Sequence, residues 1–143
     1  MSLPRFPDTL ADYPLASIGV LVVDDQLVVR EGLARLIACG PPRLRCLSTA
    51  ASGSEALSAA ARLHPEVVVL DADLDGEDGL ALIPVLALTA GVLVLTSHGD
   101  RKTRARAAHL GACAFIEKHQ PAADLLVAIE RAGLRQIAGG WEK

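Results

Sequence analysis

Five short runs punctuate this chain: Ile18–Val23, Arg45–Ala50, Val67–Leu70, Val92–Leu95 and Ala114–Glu117. Three of them are unbroken apolar stretches rich in β-branched residues, which suits strands covered on both faces rather than strands with one wet side. Between the runs the spacing changes to three and four. Val29, Leu33, Leu36 and Ile37 mark one helix, stopped by Gly40-Pro41-Pro42. A second opens at Gly53-Ser54, with Ser54 as its expected N-cap, and carries Ala56, Leu57, Ala60 and Leu63. Leu80–Leu88 is helical in composition but holds Pro84, which is expected to shorten or kink it. Thr103–Leu110 ends at Gly111, and Pro121 suits the first turn of a last helix with Leu125, Leu126 and Ile129 facing inward. Five strands alternating with five helices imply an α/β fold of parallel βαβ units, with helices on both faces of the sheet.

At 143 residues, 51% of them apolar and 22% charged, the chain has the material for one folded domain and its core. One segment imitates a membrane span: positions 79 to 97 contain no charge. Pro84, Thr89, Gly91 and Thr96 break it, so helix, turn and buried strand are expected there, and no membrane partner. A net charge of −3 argues against wholesale binding to nucleic acid. Cys39, Cys46 and Cys113 are odd in number and form no CxxC pair, so neither a disulfide framework nor a zinc site is expected, and the reading is cytoplasmic. Residues 1–17, with Pro4, Pro7 and Pro14, read as an N-terminal extension, 18–133 as the domain, and 134–143 as a C-terminal tail or the start of a linker.

In a parallel α/β sheet the functional crevice lies beyond the carboxyl ends of the strands. Those ends carry Asp24-Asp25, Asp71, Thr96-Ser97 and Lys118. Three close carboxylates raise one another's pKa unless a cation sits among them. Hard oxygen donors with room for water favour Mg²⁺. A carboxylate beside such an ion is a fair nucleophile toward a phosphoryl group, whose oxygens Lys118 and Thr96 could hold. Each residue alone has a plain structural reading, as a helix cap, a buried strand-end hydroxyl or a solvated lysine. Their coincidence at one sheet edge points instead to an aspartyl-phosphate site.

The same residues carry a resemblance. Val22-Val23-Asp24-Asp25, the run from Ala51 to Leu57, Val69-Leu70-Asp71 followed by Asp78-Gly79, Leu95-Thr96-Ser97, and Gly111-Ala112 with Phe115-Ile116-Glu117-Lys118 stand in the order found in bacterial response regulators. Over about residues 18–133 the chain resembles their receiver domain. Val29–Leu33, and Lys118 with Pro121 and Asp124-Leu125, resemble the subfamily coupled to LuxR-type helix-turn-helix outputs. The resemblance implies a flavodoxin-like doubly wound sheet, strand order 2-1-3-4-5, with five flanking helices. It makes Asp71 the phosphoacceptor, and Asp24 and Asp25, with Asp71 and the backbone carbonyl of Asp73, the Mg²⁺ ligands. Thr96 becomes the switch hydroxyl, Phe115 the rotating aromatic and Lys118 the phosphoryl-binding amine. Asp73 and His98 fall where side chains tune dephosphorylation. The implied partner is a sensor histidine kinase, a homodimer is allowed, and DNA is reached only through an output domain that this chain does not carry. Phosphoryl uptake and slow self-dephosphorylation are expected, rather than turnover as an enzyme.

The chain departs from that pattern at Leu74-Asp75-Gly76, where the family usually reads Met-Pro-Gly, at Pro84, and at His119 in place of proline. Asp73 and Asp75 add charge beside the acceptor. Three other readings compete. Asp71–Gly76 imitates half an EF-hand loop, but positions eight and twelve are Asp78 and Leu82. Asp71-Ala72-Asp73 imitates the nucleophile motif of haloacid-dehalogenase-like phosphatases, although here other acids come first. The third is a receiver fold kept only as a phosphorylation-independent interaction or dimerisation platform. Finally, Arg101, Lys102, Arg104 and Arg106 crowd the start of one helix, where cations oppose the helix dipole. They read as a solvated face or as a docking patch for an acidic partner.

Overall fold

The computed structural model describes residues 17–139. All but Ser17 of the extension, and the last four residues of the tail, lie outside the described residues. Five strands, β1 (Ile18–Val23), β2 (Leu44–Ala50), β3 (Val67–Asp71), β4 (Gly91–Thr96) and β5 (Ala114–Glu117), form one sheet in the order β2-β1-β3-β4-β5. Every neighbouring pair is parallel. Five helices connect and follow them: α1 (Leu27–Ala38), α2 (Gly53–Leu63), α3 (Ile83–Leu86), α4 (Arg101–Leu110) and α5 (Ala122–Gly139). This is the doubly wound sheet that the resemblance implies. The last helix runs past position 133 to Gly139, so residues 134–139 are helical rather than tail.

The absence of polar alternation in the central strands is explained by two cores. Ile18, Val20, Val22, Val67, Val69, Leu93 and Leu95 face one way and pack with Ile37 of α1 and Leu125 and Ile129 of α5. Leu21, Val23, Val68, Leu70, Val92 and Val94 face the other way, against Ala56 and Ala59 of α2, Ile83 and Leu86 of α3 and Ala107 of α4. Fully burying one such Leu, Ile or Val side chain contributes roughly 1.5–3 kcal/mol. The sheet is therefore the rigid part, and its carboxyl edge is a stable platform.

One local expectation changes and another holds. Ser52, not Ser54, caps α2: its backbone is extended (φ −147°) and its hydroxyl accepts the Glu55 amide at 3.3 Å. Glu55 reaches back to the Ala51 amide at 2.6 Å, a variant of the capping box that a reading starting at Gly53 overlooks. The segment around Pro84 is shorter than a normal helix. A 3₁₀ turn over Gly79–Leu82 lets Ile83 donate to the Leu80 carbonyl, the acceptor for which Pro84 has no N–H. Pro84 then falls in the first turn of a four-residue α3, where a missing donor costs nothing. The uncharged stretch from 79 to 97 is thus turn, helix and strand, and no helix among the described residues is long and apolar enough to cross a membrane.

Candidate functional site

β1, β3 and β4 deliver their last residues to one edge. Asp24 follows β1 and is fully buried, while Asp71 and Thr96 end β3 and β4 and are 6% exposed each. Lys118 follows β5 and reaches across, its Nζ 3.0 Å from Asp24 Oδ2 and 3.4 Å from Asp71 Oδ2. Each Asp24 oxygen has a partner, because the Gln26 amide donates to Oδ1 at 2.9 Å. Arg30 of α1 donates to the Asp24 carbonyl at 2.9 Å, fixing the turn that carries both aspartates. Asp71 Oδ1 accepts the Asp73 amide at 3.2 Å. Asp25, half-buried, completes the group: one carboxylate oxygen from each of Asp24, Asp25 and Asp71 lies within 4.8 Å of the others.

One ammonium does not balance three carboxylates. Burial, opposed by the Asp73 amide and by Lys118 but aided by the charge of Asp24, pushes the Asp71 carboxyl up from 3.8 to about 6. Burial alone would lower Lys118, yet the hydrogen bond it donates to Asp24 and the charges of Asp71 and Asp24 hold its ammonium above its usual 10.5. The residual negative charge, the all-oxygen donor set and an open cleft beside it of about 340 Å³ fit a small hard cation that keeps some of its water. Asp25, Asp73, Asp75, Thr96, His98 and Lys118 all line that cleft.

The Thr96 hydroxyl is held by a neighbour rather than by Asp71: it donates to the His98 carbonyl at 3.3 Å and accepts the His98 amide at 3.2 Å. Phe115 is half-buried against the α2–α4 core, and the Arg104 guanidinium lies 4.8 Å from its ring centre. Arg106 grips Asp78 with both nitrogens, at 2.6 and 3.1 Å. Its guanidinium hydrogen bonds hold the Asp78 carboxyl below its usual range. Two of the four cations read as a docking patch are thus engaged within the chain.

The loop after Asp71 is the part least legible in the sequence. Asp73–Leu74 and Glu77–Asp78 pair as a small antiparallel ladder, with Asp75 (φ 52°) and Gly76 (φ 83°) at its tip. Two positive φ angles are what a type I′ hairpin turn requires, and Asp-Gly is its strongest sequence signal. The hairpin is tied down at its far strand, where Glu77 accepts the Gly53 amide at the start of α2 at 2.8 Å. The loop follows a strand and folds as a hairpin, which removes the EF-hand reading.

The sheet carries an acid pair after its first strand, an acid at the end of its third and a lysine after its fifth, the arrangement of one class of doubly wound α/β domains. The response regulator receiver domain family matches residues 20–130, and the chain belongs to it. This also sets aside the dehalogenase-like phosphatase. The chain is 39% identical over 127 residues to protein-glutamate methylesterase/protein-glutamine glutaminase 2 of Anaeromyxobacter dehalogenans, covering 85% of this chain and 37% of that protein. It is 33% identical over 115 residues to the transcriptional regulatory protein LnrK of Bacillus subtilis, covering 78% of this chain and 52% of that protein. The chain thus spans about half or less of these relatives. Among solved structures, a LuxR-family two-component response regulator from Aurantimonas superposes with a TM-score of 0.78 at 28% identity, covering 85% of this chain and 88% of that one. The response regulator domain of Thermotoga maritima CheB gives 0.75 at 26% identity, covering 82% and 96%.

Proposed function

We propose that this receiver domain is a phosphorylation-controlled switch acting in the cytoplasm, with Asp71 as the acceptor. The observation that carries the reading is the convergence of Asp24, Asp25 and Asp71 around one lysine at the end of a rigid sheet. An oxygen of Asp71 attacks the phosphorus of a phosphohistidine on a sensor kinase. The bond between phosphorus and the donor nitrogen breaks, and the electron pair leaves with the donor. Asp24, Asp25, Asp71 and the Asp73 carbonyl would hold Mg²⁺, which supplies charge neutralisation for the incoming phosphoryl oxygens. Lys118, already between Asp24 and Asp71, is in place to pair with one of those oxygens. Thr96 leaves the His98 backbone to reach another, and Phe115 repacks behind it. His98 and Asp73, at the cleft, control how readily water reaches the acyl phosphate.

The output reading is transcriptional, supported by LnrK and the LuxR-family structure. The methylesterase relatives favour a second reading, in which the same switch governs an enzymatic output. The test is beryllofluoride, a phosphoryl mimic. With Mg²⁺ it should raise the melting temperature of the parent chain and leave Asp71→Asn unmoved. A parent that beryllofluoride does not stabilise contradicts the reading and favours the phosphorylation-independent platform.

A further inference from the structure

Helix α4 is weakly anchored for an element next to a switch. Among its ten residues only Ala107 is buried, with Leu110 packed partly against the core. Its remaining side-chain hold on the domain is polar and comes from two arginines two residues apart. Arg106 forms the two-pronged pair with Asp78 on the acceptor hairpin. Arg104 lies over Phe115 on β5. One contact therefore leads to the loop that follows Asp71, and the other to the strand that Lys118 follows. Asp78 cannot follow α4 freely, because its own carboxylate also caps the 3₁₀ turn by accepting the Leu80 amide at 3.2 Å. Glu77 beside it is tied to α2.

We infer that the Arg106–Asp78 pair is an inhibitory latch: it holds α4 in the geometry in which the Thr96 hydroxyl is bonded to His98, and so opposes the switched form. The inference rests on the phosphorylation reading above. A helix with one buried side chain can shift at little apolar cost, so a fixed bidentate contact becomes a large share of what keeps it seated. The hairpin end of the latch is tethered to α2 and to the 3₁₀ turn, so a movement of α4 away from the hairpin that accompanies release of Thr96 breaks the pair. Its free energy then counts against the switched form alone, and the apparent affinity for a ligand that selects that form falls by the same factor. The pair is half-exposed on both sides, which limits that factor to about two- to fivefold.

The test uses Arg106→Gln in the full chain, with Arg106→Lys as a second variant that keeps the charge but loses the fork. Two readouts are needed: the beryllofluoride midpoint with Mg²⁺, by calorimetry, and hydrogen exchange of the α4 amides without ligand. The latch predicts a midpoint about two- to fivefold lower in Arg106→Gln, an intermediate value in Arg106→Lys, and faster exchange across Arg101–Leu110 in the glutamine variant. An unmoved or raised midpoint overturns the latch, and so does a lowered midpoint with unchanged exchange. If the parent itself binds no beryllofluoride, the phosphorylation reading fails and takes the latch with it. Binding by the parent with no shift in the variant removes the latch alone.

Discussion

Replacing Asp71 by Asn should make the protein more stable at neutral and alkaline pH, by an amount the site's electrostatics set. Asp71 is 6% exposed and its carboxyl sits at about 6 instead of 3.8. An acid whose pKa is higher in the folded than in the unfolded chain binds its proton more tightly when folded. Ionising it therefore opposes folding. The penalty is absent below pH 3.8, builds between 3.8 and about 6, and is complete above that. At about 1.4 kcal/mol per tenfold change in proton affinity, the difference is about 3 kcal/mol. Asparagine keeps an oxygen for the Asp73 amide and removes the charge that burial and Asp24 disfavour. Lys118 retains Asp24 at 3.0 Å. Urea unfolding with EDTA present should show Asp71→Asn more stable than the parent by about 3 kcal/mol at pH 8, with the gain vanishing near pH 4. A gain under about 1 kcal/mol at pH 8, or one that persists at pH 4, would refute the reasoning. Such a penalty is what a functional acid costs its fold.

Further perturbations have equally definite outcomes. Mg²⁺ at a hundredfold excess over its dissociation constant should stabilise the parent by about 2.7 kcal/mol at pH 8, read as a shift in urea midpoint. Asp25→Asn, at the rim of the acid cluster, should abolish that shift without unfolding the protein. Ser52→Ala should cost about 1 kcal/mol through the lost cap of α2, whereas Ser54→Ala should cost little. Gly79→Ala should be far worse, because a Cβ there would collide with the Asp71 carbonyl and lie 2.9 Å from that of Ala72. The expected result is a loss of at least about 2 kcal/mol, together with impaired phosphorylation.

Strands and site residues were readable for one reason: burial on both faces leaves an unmistakable apolar run, and a polar residue at its end marks the functional edge. Asp24, Asp71, Thr96 and Lys118 were located that way, and the structure brings all four together. What was not readable depended on contacts between distant segments. Nothing local in Glu77 announces that it accepts the amide of Gly53, and nothing in Arg106 announces Asp78. The hairpin at Asp75-Gly76 carries a local signal in its Asp-Gly pair, but the sequence reads there only as an acidic loop, because the strands on either side are two residues long. The cap of α2 shifted by two residues because Ser52 and Ser54 are equally good caps in isolation, and Glu55 decides between them.

The central claim is that Asp71 takes a phosphoryl group. Intact mass measured after incubation with acetyl phosphate and Mg²⁺ tests it most directly. The account predicts one added phosphoryl mass in the parent, and none in Asp71→Asn or in a sample held in EDTA. An adduct that survives the Asp71→Asn substitution or the removal of metal would contradict it. So would a parent that gains no phosphoryl mass and is also untouched by beryllofluoride.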